Sequence, residues 1–149
     1  MLKKLLQTND DTAALVLRVL LGLVFLPHGL QKVFGLFGGY GFSGTMGFFT
    51  GTLGIPAVFA FLAIAAEFLG ALGLIAGLFT RIAALGIGVM ITVAALMLHV
   101  QNGFFMNWFG NQAGEGIEYH VLVAAMAIAL VLTGGGKWSL DRALAKQDN

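Results

Sequence analysis

Residues 56–79 read PAVFAFLAIAAEFLGALGLIAGLF, twenty-four residues with one ionisable side chain, Glu67. The hydrocarbon core of a bilayer is about 30 Å thick and needs about 20 apolar helical residues to cross. This stretch is long enough to cross it. A carboxylate in the middle of such a span is expensive if it faces lipid, so Glu67 should face protein and find a partner.

Working outward, three further runs of the same kind lie at about 13–34, 82–101 and 117–133, beside the helix expected at 56–79. They predict an all-α membrane protein, a four-transmembrane-helix bundle forming a single unit over residues 1–149. The composition agrees: 58% of residues are hydrophobic and 10% are charged, against about 25% charged in an average soluble domain. The mean hydropathy is +0.91. The formal net charge of +1 offers no basic field for nucleic acid. With no cysteine in the chain, disulfides, thiolate metal sites and thiol nucleophiles are excluded, so any electrons must travel on a bound cofactor or a partner.

Between the first two spans, residues 35–54 hold eight glycines in twenty positions and end before Pro56. A continuous helix is disfavoured there, and the segment reads as a glycine-rich loop with a short interfacial or re-entrant helix near 43–53. The start, Met1-Leu2-Lys3-Lys4, is followed by polar residues, Arg18 and no small-residue cleavage site, so the first helix should be retained. Lys3, Lys4, Arg18, Arg81, Lys137, Arg142 and Lys146 fall toward one side of a four-span topology and only Lys32 toward the other. By the positive-inside rule both termini are expected in the cytoplasm. Arg18 and Arg81 then read as topology or headgroup residues, and Trp108 with Phe104, Phe105 and Phe109, like Trp138, as interfacial anchors. The tail, 137–149, reads as an amphipathic surface helix.

A rise of about 1.5 Å per residue places Glu67 about 16 Å from the outer end of its helix, with His28, Lys32, His99, Glu118 and His120 within about 9 Å of theirs. His28 and Lys32 share a helix face. The preferred partner of Glu67 is therefore His28 or Lys32. Glu118 and His120 could equally be interfacial residues, and the glycine spacings at 70, 73 and 77 are packing features first. Gly39-Tyr-Gly41-Phe-Ser-Gly44 satisfies G-x-G-x-x-G without a preceding strand and is read as a chance match. No H-x-x-E-H or E-x-x-H spacing is present, so neither a metal nor a haem is supported.

The ordered set Arg18-x3-Gly22-x2-Phe25-Leu-x-His28-Gly29-x2-Lys32-x2-Gly35, Glu67-x2-Gly70, Gly77-x3-Arg81, His99-x3-Gly103-Phe104-Phe105, Glu118-Tyr119 and Gly134-Gly-Gly-Lys-Trp-Ser139-Leu-Asp141 resembles the DoxX family. These are small four-helix bacterial membrane proteins related to the membrane subunit of thiosulfate:quinone oxidoreductase. The resemblance covers nearly the whole chain. It implies a bacterial inner-membrane protein associated with an oxidoreductase, with quinone as the electron acceptor; it does not make every member an enzyme.

Two functional readings follow. In one, the chain is a quinone-binding redox subunit: Glu67, His28 and His99 handle protons, and His28, Lys32, Glu67, His99 and Glu118 bound the cofactor site. Phe25, Phe68 and Phe104 are the expected walls of that pocket. In the other, the chain is a non-enzymatic membrane scaffold or assembly factor whose polar core sets the register of the bundle. Beyond the lipid bilayer, the expected partners are a membrane or soluble redox protein, or a second copy of the chain. Small-solute conduction ranks third, because four short helices leave little room for a pore.

Overall fold

The computed structural model describes residues 2–147, and among them every regular element is helical. The elements are α1 (Leu2–Leu6), α2 (Thr12–Phe34), α3 (Gly41–Gly47), α4 (Ala57–Ala76), α5 (Thr80–Ala94), α6 (Glu118–Thr133) and α7 (Leu140–Gln147). Three spans are long and apolar enough to cross a membrane: Thr12–Phe34, Ala57–Ala76 and Thr80–Asn102. The third comprises α5 and the wider and tighter helical turns that follow it. At 16 residues, α6 is about 24 Å long and is the shorter fourth member of the bundle.

The chain order α2, α4, α5, α6 is also the packing order, with α2 against α4, α4 against α5 and α5 against α6. The core between them holds Leu21, Phe25, Leu74, Ile87, Val123 and Leu130. The outer faces carry Leu20, Leu62, Leu69, Leu85, Leu122 and Leu132, all more than half exposed. Apolar inside and apolar outside is the pattern of a bundle solvated by lipid.

Without a hydrophobic force between helices in lipid, close backbone approach matters more. Gly29 shows it: a Cβ there would stand 2.7 Å from the Cα of Phe68 on α4. Gly88 does the same for α5 and α6, where a Cβ would stand 2.9 Å from that of Ala127.

The two ends of the bundle differ. At the base, where α1 meets α7, Arg18 is 2% exposed and donates five hydrogen bonds to backbone carbonyls. Its acceptors are Leu74 and Ile75 at the end of α4, then Gly135, Lys137 and Trp138 in the loop before α7. Arg18 thus satisfies carbonyls that a helix end leaves open, where the sequence alone suggested a headgroup contact. Arg81 does likewise for α6, donating to Val131, Leu132 and also Gln7. Asp141 accepts from the backbone N–H groups of Phe79 and Thr80 at the start of α5. Arg142 pairs with Asp10, and the Lys137 N–H donates to the Asp11 carbonyl, which ties the two ends of the chain together.

At the head, Gly35 ends α2 with φ 73°. The glycine-rich segment then winds through a short 3-10 turn at Leu36–Gly38 into α3, which continues as a wide turn at Phe48–Thr52. Between α5 and α6 the chain forms a closely bonded hairpin: Ile117 donates to the Gly103 carbonyl, Glu118 to Phe104 and Gly116 to Phe105.

Candidate functional site

The ionisable residues of the head half fall into two groups that adjoin. In the first, Lys32 on α2 reaches Glu67 on α4, Nζ to Oε2 2.5 Å, with the carboxylate side chain 7% exposed and the ammonium side chain 24% exposed. Phe68, beside Glu67, packs edge-on against Phe34. An ion pair this short between two apolar helices offsets the cost of placing either charge in the membrane.

The second group sits where α5 gives way to the outer hairpin. After Ala94 the helix widens into a π turn at Ala95–His99 and tightens into a 3-10 turn at Val100–Asn102. His99 closes the wide turn. Its Nδ1 lies 3.0 Å from the Glu115 carbonyl, so in the neutral ring Nδ1 carries the proton and Nε2 is the acceptor. Its ring lies 4.2 Å from that of His120, centroid to centroid. His120 in turn stands 5.6 Å from Tyr119, edge to face. Both are poorly served with partners: the Tyr119 hydroxyl and the His120 Nδ1 are buried without a well-formed hydrogen bond, the Gly116 backbone lying beside His120. Tyr119 is also within electrostatic reach of Glu67.

The structure therefore brings Lys32, Glu67 and His99 into this region, together with Tyr119 and His120. The Glu118 carboxylate accepts from the Met106 N–H, and that of Glu115 from the Asn107 N–H. His28 is exposed on the outer face of α2, 6.1 Å from the Phe25 ring. Three residues of helix turn it about 60° from Phe25, which lies fully buried in the core. Of the three aromatic residues read as pocket walls, Phe25 is core, Phe68 is half-buried and Phe104 is exposed beside Phe105. Sequence reasoning left out Tyr119 and gave His120 no role. The available signal was helix phase, since Glu118 and His120 point about 200° apart and only one of them can face the bundle.

Among the described residues, no three His, Cys, Asp or Glu side chains gather as a metal site. Elsewhere an apolar groove of about 350 Å3 runs along the α5–α6 seam, lined by residues that include Ala84, Gly88, Thr92, Ala124, Ala127 and Ile128.

Comparison with known proteins agrees with this architecture. CatD of Bacillus subtilis (strain 168), a candidate oxidoreductase by its name, is 30% identical over 131 residues, 88% of this chain and 86% of that one. Inner membrane protein YqjF of Escherichia coli (strain K12) is 27% identical over 143 residues, 93% of this chain and 96% of that one. No solved structure matches. The DoxX family model matches residues 13–100, and with more than half of its length matched the chain belongs to the DoxX family.

Proposed function

We propose that this protein is the membrane subunit of an oxidoreductase and that the head half of its bundle receives a quinone headgroup. The observation that carries the reading is the Lys32–Glu67 pair, 2.5 Å long and set between two membrane helices. Intramembrane charge of this kind marks proton or substrate handling more often than packing. The residues present fit a quinone. Its carbonyls need hydrogen-bond donors in an apolar setting, and the buried Tyr119 hydroxyl and His120 ring nitrogen lack well-formed partners. Lys32, Tyr119 and His120 would hold the headgroup, and the His99 ring, 4.2 Å from that of His120, would position it. A bound quinone supplies the capacity to accept two electrons and two protons, the electrons coming from a donor on a partner protein. The chain's own residues orient it, exclude water and hold protons at the Glu67 carboxylate and the imidazoles of His99 and His120. The name of one relative as an oxidoreductase is in keeping with this reading.

We place the protein in a bacterial inner membrane with both termini in the cytoplasm. The charge asymmetry supports that orientation, and the name of the second relative supports that membrane.

The test is to purify the chain in mild detergent, extract it for quinone, and titrate a short-chain quinone analogue against wild type, His99→Ala and His28→Ala. Quinone should co-purify. His99→Ala should weaken binding by about tenfold, a loss of about 1.4 kcal/mol, whereas His28→Ala, altered on the outer face, should bind as wild type does. Equal binding by all three, or none by any, overturns the reading.

The scaffold reading has its own support, because Lys32 and Glu67 satisfy each other and so set the register of α2 on α4. A stoichiometric protein partner recovered without any quinone would favour it.

A further inference from the structure

Five ionisable side chains lie in sequence from the outer hairpin to the middle of the bundle. His99 is half-buried beneath the hairpin and held at Nδ1 by the Glu115 carbonyl. His120 follows at 4.2 Å, Tyr119 at 5.6 Å from His120, then Glu67 within electrostatic reach and Lys32 paired to it. Each is a group that can hold or pass a proton. All five lie where α2, α4, the end of α5 and the start of α6 converge.

We propose that His99, His120 and Tyr119 form a proton file that connects the aqueous side of the outer hairpin to the Lys32–Glu67 pair. The identity of what finally takes the proton rests on the quinone reading; the file itself does not.

Three observations carry it. First, the His99 tautomer is set: with Nδ1–H held by the Glu115 carbonyl, Nε2 is the free ring position, which takes up a proton from the hairpin side and hands it on to His120. Second, the Tyr119 hydroxyl and the His120 Nδ1 are buried without well-formed hydrogen bonds. A bundle that used these groups only for packing would be more stable with apolar ones in their place. Third, α5 departs from α-helical winding at Ala95–His99, and wide turns of this kind recur at functional sites.

Each transfer moves one proton from the nitrogen or oxygen holding it to the next acceptor, and uptake from water at His99 restores the first donor. Rings 4.2 and 5.6 Å apart between centroids are in contact, and a rotamer change of either ring aligns donor with acceptor. The charged groups around the file are Glu115 and Glu118 on the hairpin side, both engaged by backbone N–H groups, Glu67 on α4 and Lys32 on α2. The remaining histidine, His28, lies on the outer face of α2, outside the file.

With only three histidines, ring-15N labelling of the full chain in lipid nanodiscs resolves each one. In wild type, His99 and His120 should titrate as a coupled pair. Glu67→Gln and Tyr119→Phe should each displace the His120 midpoint by about half a pH unit or more, and His28 should stay where it is. Solvent exchange of the His120 ring proton should slow by about tenfold in His99→Gln, the loss of one positioned proton donor. Independent titration of His99 and His120, or a His120 curve and exchange rate that no variant changes, overturns the proposal. Because no quinone is present, that outcome leaves the quinone reading standing, and a failed quinone titration leaves the file standing.

Discussion

The Glu67 side chain is 7% exposed and that of Lys32 24%, so removing one charge leaves the other largely without a counter-charge. Breaking a fully buried pair costs about 3–5 kcal/mol. Lys32 retains 24% of its side-chain exposure, which reduces the expected loss for Glu67→Gln to about 2 kcal/mol. The double variant Lys32→Met with Glu67→Leu removes both charges and should recover most of that loss. Thermal unfolding in detergent measures both, and a double variant no more stable than the single one would contradict the pairing. At this scale the sequence was only partly informative. The cost of a carboxylate in lipid makes Glu67 legible as an inward-facing residue, but it does not choose between His28 and Lys32. That choice depends on about 40° of helix rotation between them, too little to separate before the neighbouring helix is placed. Tyr119 was harder still, because its part in the site comes from what lies across the bundle at Glu67.

Helix pairs in this protein are set by glycine as much as by large side chains. Gly29 lies against the backbone of Phe68, and no rotamer of a larger side chain relieves a contact with main chain. Gly29→Leu should therefore force α2 from α4 and lower stability by about 3 kcal/mol. It should also lengthen the Lys32–Glu67 contact one turn away. A variant with unchanged unfolding temperature would contradict this. The four apolar helices were legible because hydropathy and length are properties of each segment by itself. The π turn at Ala95–His99 was not, since ALMLH contains no glycine or proline to mark a change of winding. Its coincidence with the His99 contact to Glu115 ties it to tertiary structure. The segment at 35–54 was legible as a break between spans that carries a short helix near 43–53, and the chain is helical from Gly41 to Thr52.

The molecule as a whole has a base tied by arginines and a head where the ionisable residues of the candidate site gather. The helices α1 and α7 meet at the base, and the Lys/Arg excess at that end predicts that it is cytoplasmic. Ala145→Cys in this chain without native cysteine should be labelled by a membrane-impermeant maleimide only after the cells are opened; labelling of intact cells would reverse the orientation. Arg18 adds a constraint of another kind, on timing. The ribosome delivers Arg18 to the membrane well before Gly135, Lys137 and Trp138 exist, the partners lying 117, 119 and 120 residues downstream. Three of its five acceptors follow α6, so α2 waits with a guanidinium only partly satisfied until the fourth apolar helix has been made. A chain stopped after Thr133 keeps all four apolar helices and loses those acceptors. It should insert normally, yet remain open to protease and quality-control degradation, with a half-life in pulse–chase several-fold shorter than that of the full chain, as a stability loss of about 1–2 kcal/mol produces. In biosynthetic terms the loop after α6 acts as an assembly signal, by which α2 registers that α6 has arrived.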